Sequence, residues 1–451
     1  MTQAERRARV VTKEVQAELI GRLGRRGAIV LKSPAGGGKS TFIADTVGRI
    51  AARCRVAVAA PTNEQVYALV ASIAAAWPEL AIHYVPAQEA QLPFQPPSNV
   101  TVCRPARTAC GAQVIVGTLD KLGDALQRGD LEAVGCLIVD EAYQADSARY
   151  YRAAPIADVH LLVGDPGQID PFANTPEAMR YRGLPEDPVR TAVDVVVANH
   201  PDTPVYRLPI TRRLDARALP LARSFYEPDH HFDAWVPADA RELSFATALV
   251  RDRRLRELDA TLRAAGTSGI AHLELPPGAS LVADPEVVDA IATLASRALD
   301  PTLAAAMRCE RNPAGGVPLT ANRIAVGASH KEQVRALRRA LRERGHPDVL
   351  VQTANKLQGA EFDLTICWHP LSGLTDADVF HLEAGRMCVL ATRHRHACIV
   401  VGRASDRDLL DGVPPSGEAW LGSDAEPLLE GWDTHRAFFA ALEPHRRLLA
   451  A

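Results

Sequence analysis

The chain of 451 residues has no excess of positive charge: 51 Lys and Arg against 54 Asp and Glu leave a net charge of −3. That excludes a globally basic field attracting nucleic acid, so any such contact has to come from a local track of donors. Lysine is scarce, with six residues in all. A lysine inside a motif is then less easily assigned to chance, and Lys39, Lys121 and Lys356 all fall in the motifs below. The eight cysteines form no C-x-x-C pair, and Cys136 and Cys398 sit in apolar runs. This argues against zinc or a disulfide framework and for small core residues in a reducing compartment. No apolar stretch is long enough to cross a membrane and no signal peptide is visible, so the expectation is a cytoplasmic protein. With 47% hydrophobic and 23% charged residues, a chain of this length has room for two or three domains with substantial cores.

What is present is organised around Ser33-Pro34-Ala35-Gly36-Gly37-Gly38-Lys39-Ser40-Thr41. The apolar run Ala28–Lys32 before it predicts a buried strand, and helical spacing follows to about Arg53. Strand, glycine-rich loop, Gly-Lys-Ser and helix form the phosphate-binding loop pattern, in which backbone N–H groups and a helix N-terminus meet phosphate oxygens. Lys39 would reach the β- and γ-phosphates of ATP and the Ser40 hydroxyl would bind Mg²⁺. Ser33 stands where the strict pattern has its first glycine, a variant that three consecutive glycines make tolerable.

Further strands end in chemistry. Arg55–Ala60 runs into Pro61-Thr62-Asn63, whose hydroxyl and amide groups can hold a sugar-phosphate backbone or simply cap the next helix. Val114–Thr118 is followed by a helix from Asp120, with Thr118 and Lys121 at the turn. Cys136–Val139 ends in Asp140-Glu141. Asp140 would hold Mg²⁺ through water, and Glu141 would orient and deprotonate an attacking water. A strand at 160–163 leads to Gly164-Asp165-Pro166-Gly167-Gln168, where Gln168 can hydrogen-bond a γ-phosphate or its attacking water. Residues 78–111, rich in proline, read as a small insertion or long loop. Arg308–Pro318 reads as a loop, Asp284 as the start of a helix over 287–299, and the tail as Pro/Gly spacers followed by a helix over about 434–450. The pair His230-His231 is a poor chelating geometry for a metal.

SPAGGGKST, APTN, VDEA and GDPGQ, in this order, resemble motifs I, Ia, II and III of superfamily 1 helicases. The segment Leu208–Tyr226 resembles motif IV, Gln352–Asp363 motif V and Arg386–Arg395 motif VI, so the resemblance covers about residues 12–403. It is nearest to the branch of RNA-surveillance helicases and DNA helicase-nucleases. The resemblance implies an α/β fold of two tandem RecA-like domains, expected at 1–204 and 205–451, with ATP and Mg²⁺ as cofactors and single-stranded nucleic acid as partner. Gln16 lies at the distance from Lys39 where the family reads the adenine edge. Arg393, and Arg213 or Arg212, match the arginines that stabilise the transferring phosphoryl group, with Arg213 preferred. Gly359 would approach phosphate or sugar, and Glu361 would contact the ribose or an arginine finger. Thr353 and Lys356 would face the nucleic-acid backbone, opposite Thr62 and Thr118. The tyrosine that precedes the motif IV arginine in many members is absent, and Cys388 replaces the asparagine of motif VI. The expected activity is ATP-driven translocation or unwinding on a single strand, DNA before RNA, in the 5′→3′ direction. A remodelling ATPase, or an ATPase switch within a protein assembly, fits the same motifs.

Overall fold

The computed structural model describes residues 2–87, 92–93, 95–171, 181, 187, 189–278, 282–412 and 427–449. The Pro/Gly spacers expected in the tail lie outside the described residues. The chain divides into two compact units: one of Met1–Pro166 with Asp170–Ile210, the other of Gly167–Ile169 with Thr211–Ala451.

The first unit contains the strands β1 (Gly27–Lys32), β2 (Val56–Ala60), β3 (Ile82–Val85), β4 (Val100–Val102), β5 (Val114–Thr118), β6 (Cys136–Val139), β7 (Val159–Gly164) and β8 (Val205–Arg207). They form one sheet in the order β4-β3-β5-β2-β6-β7-β1-β8, and all its pairings are parallel. Its helices are α1 (Gln3–Arg22), α2 (Lys39–Ala51), α3 (Asn63–Ala76), α4 (Leu119–Gln127), α5 (Ser147–Ala153) and α6 (Ala192–Asn199). Side chains alternate across a strand, so a sheet covered on both faces needs apolar residues at every position. The buried runs Val-Ala-Val-Ala-Ala and Cys-Leu-Ile-Val supply them. Cys136 and Ile138 pack into the core with α1, α2 and α3, while Leu137 and Val139 pack into the core with α4, α5 and α6. Fully burying a side chain such as Ile138 or Leu137 contributes roughly 1.5–3 kcal/mol.

Two expectations change here. The segment 78–111 is not a plain insertion, because β3 and β4 extend the parallel sheet beyond β5. Its prolines lie before, between and after these short strands, where no ladder hydrogen bond is lost. The division after residue 204 also moves. Strand β8 pairs with β1, and Leu208 N–H donates to the Lys32 carbonyl at 2.8 Å, so the first unit runs to Ile210.

The second unit contains β9 (Ile210–Asp215, from Thr211), β10 (Asp233–Val236), β11 (Glu242–Ser244), β12 (Ile270–Leu275), β13 (Ala306–Cys309), β14 (Asn312–Pro318), β15 (Ile324–Ala328), β16 (Leu350–Thr353), β17 (Phe362–Trp368), β18 (His394–Arg403) and β19 (Arg446–Leu448). Its helices are α7 (Leu219–Arg223), α8 (Arg253–Ser268), α9 (Pro285–Ala298), α10 (Lys331–Glu343), α11 (Ala354–Leu357), α12 (Val379–Leu382), α13 (Ala384–Ala391), α14 (Ser405–Asp411) and α15 (Pro427–Leu442). The six-stranded sheet β16-β15-β17-β18-β12-β19 is parallel, with α8, α9 and α10 against one face and α7, α13 and α15 against the other. A separate antiparallel sheet has the order β11-β13-β14.

The expected loop at 308–318 is therefore a β-hairpin. Gly315 and Gly316 disguise it, yet Met307 pairs with Val317 and Cys309 with Asn312. The tail helix ends at Leu442, and β19 adds an edge strand beside β12. Glu274, fully buried on β12, fixes that edge by accepting from Arg407 Nε at 2.8 Å and Arg446 Nε at 2.6 Å.

Candidate functional site

In a parallel sheet the loops that carry chemistry leave from the carboxyl ends of the strands. In the first unit, β5, β2 and β6 are consecutive neighbours, so Thr118, the Pro61-Thr62-Asn63 segment and the Asp140-Glu141 pair leave side by side. The glycine-rich loop leaves β1, which is bonded to β7.

The loop turns tightly on itself. Ser33 N–H donates to the Gly164 carbonyl at 2.9 Å, and Gly37 N–H to the Pro34 carbonyl at 2.8 Å. A Cβ on Gly37 would stand 2.4 Å from Ser33 Oγ and about 3 Å from two backbone oxygens, so only glycine fits there. Ser33, the variant position, is buried with its hydroxyl donating to the Pro34 carbonyl at 3.2 Å. Helix α2 starts at Lys39 with Gly38 as N-cap, so no side-chain oxygen caps the first-turn N–H groups. Ser40 and Thr41 are exposed in that first turn, and Pro34 and Ala35 line the buried base of the loop.

Lys39 Nζ lies 3.4 Å from Glu141 Oε1. Glu141 has φ 50, in the left-handed region, which costs a non-glycine residue on the order of 1 kcal/mol or more. Neighbouring hydrogen bonds hold it there. Asp140 Oδ1 accepts from Glu141 N–H at 2.9 Å, and Ala142 N–H donates to Val163 at 2.9 Å. Burial pushes the Asp140 carboxyl up, to about 7; the Glu141 charge adds to the rise and Lys39 opposes it.

Thr62 is the N-cap of α3 in a reciprocal box with Gln65: Thr62 N–H donates to Gln65 Oε1 at 3.0 Å and Gln65 N–H to Thr62 Oγ1 at 3.4 Å. Thr118 caps α4, accepting from Lys121 N–H at 3.2 Å. The capping role and a place at the sheet edge therefore coexist in both threonines. Gln65 Nε2 also donates to Gln144 Oε1 at 2.7 Å, and Gln144 Nε2 to Glu141 Oε2 at 3.0 Å. Gln65 and Gln144 belong to none of the residues expected to act. The Thr-x-x-Gln spacing of a capping box was the available signal for Gln65.

Gln16 stands elsewhere. It is 5% exposed and its amide donates to Asp45 Oδ2 at 2.7 Å and Thr46 Oγ1 at 3.1 Å, which ties α1 to α2. Gln16, expected to read the adenine edge, thus has its N–H groups directed into the helix pair.

In the second unit, Arg213 Nε donates to Glu361 Oε1 at 2.8 Å and Nη1 to the Thr392 carbonyl at 3.4 Å. Burial pushes the Glu361 carboxyl up, but Arg213, with Arg395 and Arg393, holds it below its usual value. Arg393 is 1% exposed and its Nε donates to the Val389 carbonyl at 3.2 Å. Arg212, next to Arg213 on β9, is exposed, as side-chain alternation requires. The strand carrying Arg213 is held by Arg241, which donates to the Arg213 carbonyl and, at 3.1 Å, to the Arg395 carbonyl. Glu310 grips Arg241 through both carboxylate oxygens, at 2.8 and 2.7 Å.

Gln168 accepts from Gln358 Nε2 at 3.2 Å. Thr353 is the N-cap of α11 without a side-chain capping bond, unlike Thr62 and Thr118. Lys356 and Gly359 are exposed. Gly359 has φ 84 and open space around it, so the backbone sign, not crowding, requires glycine. Among the described residues no cluster of three His, Cys, Asp or Glu could hold a metal ion, and no helix is long and apolar enough to cross a membrane.

Residues 302–405, which include motifs V and VI, match the family model of an AAA domain. Comparison with curated proteins gives no match. Among solved structures the chain is similar to the PRRSV helicase, at 15% identity and a TM-score of 0.44, covering 86% of this chain and 55% of that one. It is similar to the arterivirus nonstructural protein 10 helicase in complex with DNA, at 14% identity and a TM-score of 0.44, covering 85% of this chain and 63% of that one. It is also similar to S. cerevisiae Dbp5 bound to RNA and ADP BeF3, at 12% identity and a TM-score of 0.45, covering 93% of this chain and 90% of that one. The chain thus spans 55% and 63% of the two viral helicases. The motif set and the domain match are consistent with a superfamily 1 helicase.

Proposed function

We propose that this chain is a nucleic-acid-dependent ATP hydrolase that translocates on single strands as a helicase does, DNA before RNA, in the 5′→3′ direction. The observation that carries the reading is the Lys39–Glu141 pair, 3.4 Å apart, at the strand ends of a sheet where the next two strands to one side of that of Glu141 lead to Thr62 and Thr118. A phosphate-loop lysine beside a carboxylate that can take a proton is the arrangement a phosphoryl transfer to water needs.

In this reading the loop Gly36–Gly38 and the N-terminus of α2 hold the phosphates, and Lys39 moves from Glu141 to the β- and γ-oxygens. Glu141, freed of its ion pair, orients the attacking water and takes its proton. Gln168 senses the γ-phosphate. Arg213 and Arg393 neutralise charge on the transferring group, with Glu361 keeping Arg213 in place. The hard oxygen donors Ser40 and Asp140 suit Mg²⁺. That ion would neutralise phosphate charge, and the buried Asp140 carboxyl, pushed up by burial, is a group a bound cation would hold ionised. Pro61, Thr62, Asn63, Thr118, Lys121, Thr353 and Lys356 are the proposed strand contacts.

The test is the ATPase rate of the purified chain with single-stranded DNA, single-stranded RNA, duplex, or nothing added. Stimulation by a single strand supports the reading. A rate that no nucleic acid changes rejects it.

A further inference from the structure

The hydrogen bonds between Thr62 and Glu141 form an unbroken row: Thr62 N–H to Gln65 Oε1 at 3.0 Å, Gln65 Nε2 to Gln144 Oε1 at 2.7 Å, Gln144 Nε2 to Glu141 Oε2 at 3.0 Å. We infer that Gln65 and Gln144 are positioning residues that couple strand contact at Thr62 to the orientation of the Glu141 carboxylate. The inference rests on the function proposed above.

The chemistry of the two ends gives the row a single direction. A backbone N–H can only donate, so the Gln65 atom facing Thr62 has to be its oxygen. An ionised carboxylate can only accept, so the Gln144 atom facing Glu141 has to be its amide nitrogen. Both side-chain amides are thereby fixed, and turning either one over sets two donors or two acceptors against each other. The row therefore transmits order. At one end it sits on an exposed helix cap, and at the other on the carboxylate whose second oxygen faces Lys39. When Lys39 turns to phosphate, the Gln144 N–H is the contact that keeps Glu141 aimed. A strand gripping Thr62 immobilises the free end of the row, and bonds in such a chain polarise one another. The grip at the strand edge and the proton acceptor at the hydrolysis edge then become ordered together. The device is confined to β2, α3 and the turn after β6.

The discriminating variant is Gln65→Glu. A carboxylate still accepts from Thr62 N–H, and Glu is itself a usual third residue of a capping box, so α3 keeps its cap. It has no N–H to offer Gln144. Gln144 then either faces an acceptor or turns over and presents its oxygen to Glu141. The experiment measures ATPase kinetics of the full chain at saturating single-stranded DNA, alongside DNA affinity and thermal melting. The expected result is a fall in stimulated kcat of about tenfold to 10²-fold, the scale of a slightly misplaced catalytic group, with nucleotide KM, DNA affinity and melting temperature unchanged. Gln144→Leu should show the same split between kcat and KM. Stimulation of Gln65→Glu equal to wild type overturns the coupling alone, as does a loss cured by raising the DNA concentration. A basal rate raised to the stimulated level also overturns it, because the row would then restrain Glu141 instead of aiming it. A wild-type chain that hydrolyses ATP without any response to nucleic acid rejects the proposed function itself, and the coupling with it.

Discussion

Arg213 and Glu361, separated by 148 positions in the chain, meet with Nε 2.8 Å from Oε1. One comes from β9 and the other from the turn before β17, so the pair exists only because the second unit brings the motif IV strand beside motif V. The guanidinium is largely covered while the carboxylate is partly open, which leaves the carboxylate to meet another group without releasing the arginine. A pair of this kind orients a cation in advance, and preorganised charge is what a phosphoryl transition state uses.

Arg213→Ala is expected to lower kcat and kcat/KM together by about 10²-fold or more, as for a contact made in the transition state. Arg212→Ala, on the opposite side of β9, is expected to stay near wild type. Steady-state ATPase kinetics checks both. A pure KM effect in Arg213→Ala, or a larger loss in Arg212→Ala, would move the catalytic role away from Arg213.

Glu141→Gln should retain ATP binding and lose turnover by about 10²–10⁴-fold, the contribution of a positioned general base. Lys39→Ala should lose both hydrolysis and much of the binding, because it removes the only side-chain cation of the loop. Equilibrium binding of a fluorescent nucleotide, set beside turnover, separates the two. Loss of binding in Glu141→Gln would make that residue structural.

Lys356→Ala should make the salt dependence of single-strand binding shallower by roughly 0.7 in the slope of log affinity against log salt, one neutralised phosphate. Basal hydrolysis should be unchanged. A salt titration of single-stranded DNA binding gives the slope. An unaltered slope would take Lys356 off the strand track.

Glu310 offers a prediction about stability. Its hydrogen bonds to Arg241 outweigh burial and hold the carboxyl down, at about 2. A carboxyl depressed in the folded state stabilises fully above its unfolded pKa, and that contribution is lost as pH falls through the folded value. Glu310→Ala leaves the buried Arg241 without its carboxylate, at a cost of about 3 kcal/mol at neutral pH. In denaturant melts the gap between wild type and variant should narrow as pH falls from about 4.5 toward about 2. A gap that does not change with pH would mean packing, not charge, is lost.

Much of this was legible in the sequence because it is local. Apolar runs covered on both faces marked β1, β2, β5 and β6, and Gly-Lys-Ser after the first of them could mean little besides a phosphate loop. Asp140-Glu141 was readable for the same reason: an acidic pair directly after a buried strand has to emerge at the sheet edge. Strands β13, β14 and β19 were not readable, since their glycines, prolines and arginines carry no strand signal until a partner strand supplies the hydrogen bonds. The same holds for the site. Residue types and spacing alone nominated Lys39 and Glu141. Only the tertiary structure decided that the Gln16 amide donates to Asp45, that Arg213 faces Glu361, and that Gln65 and Gln144 join Thr62 to Glu141. Each of these depends on the direction in which a side chain leaves a strand or helix and on what the fold has put opposite it.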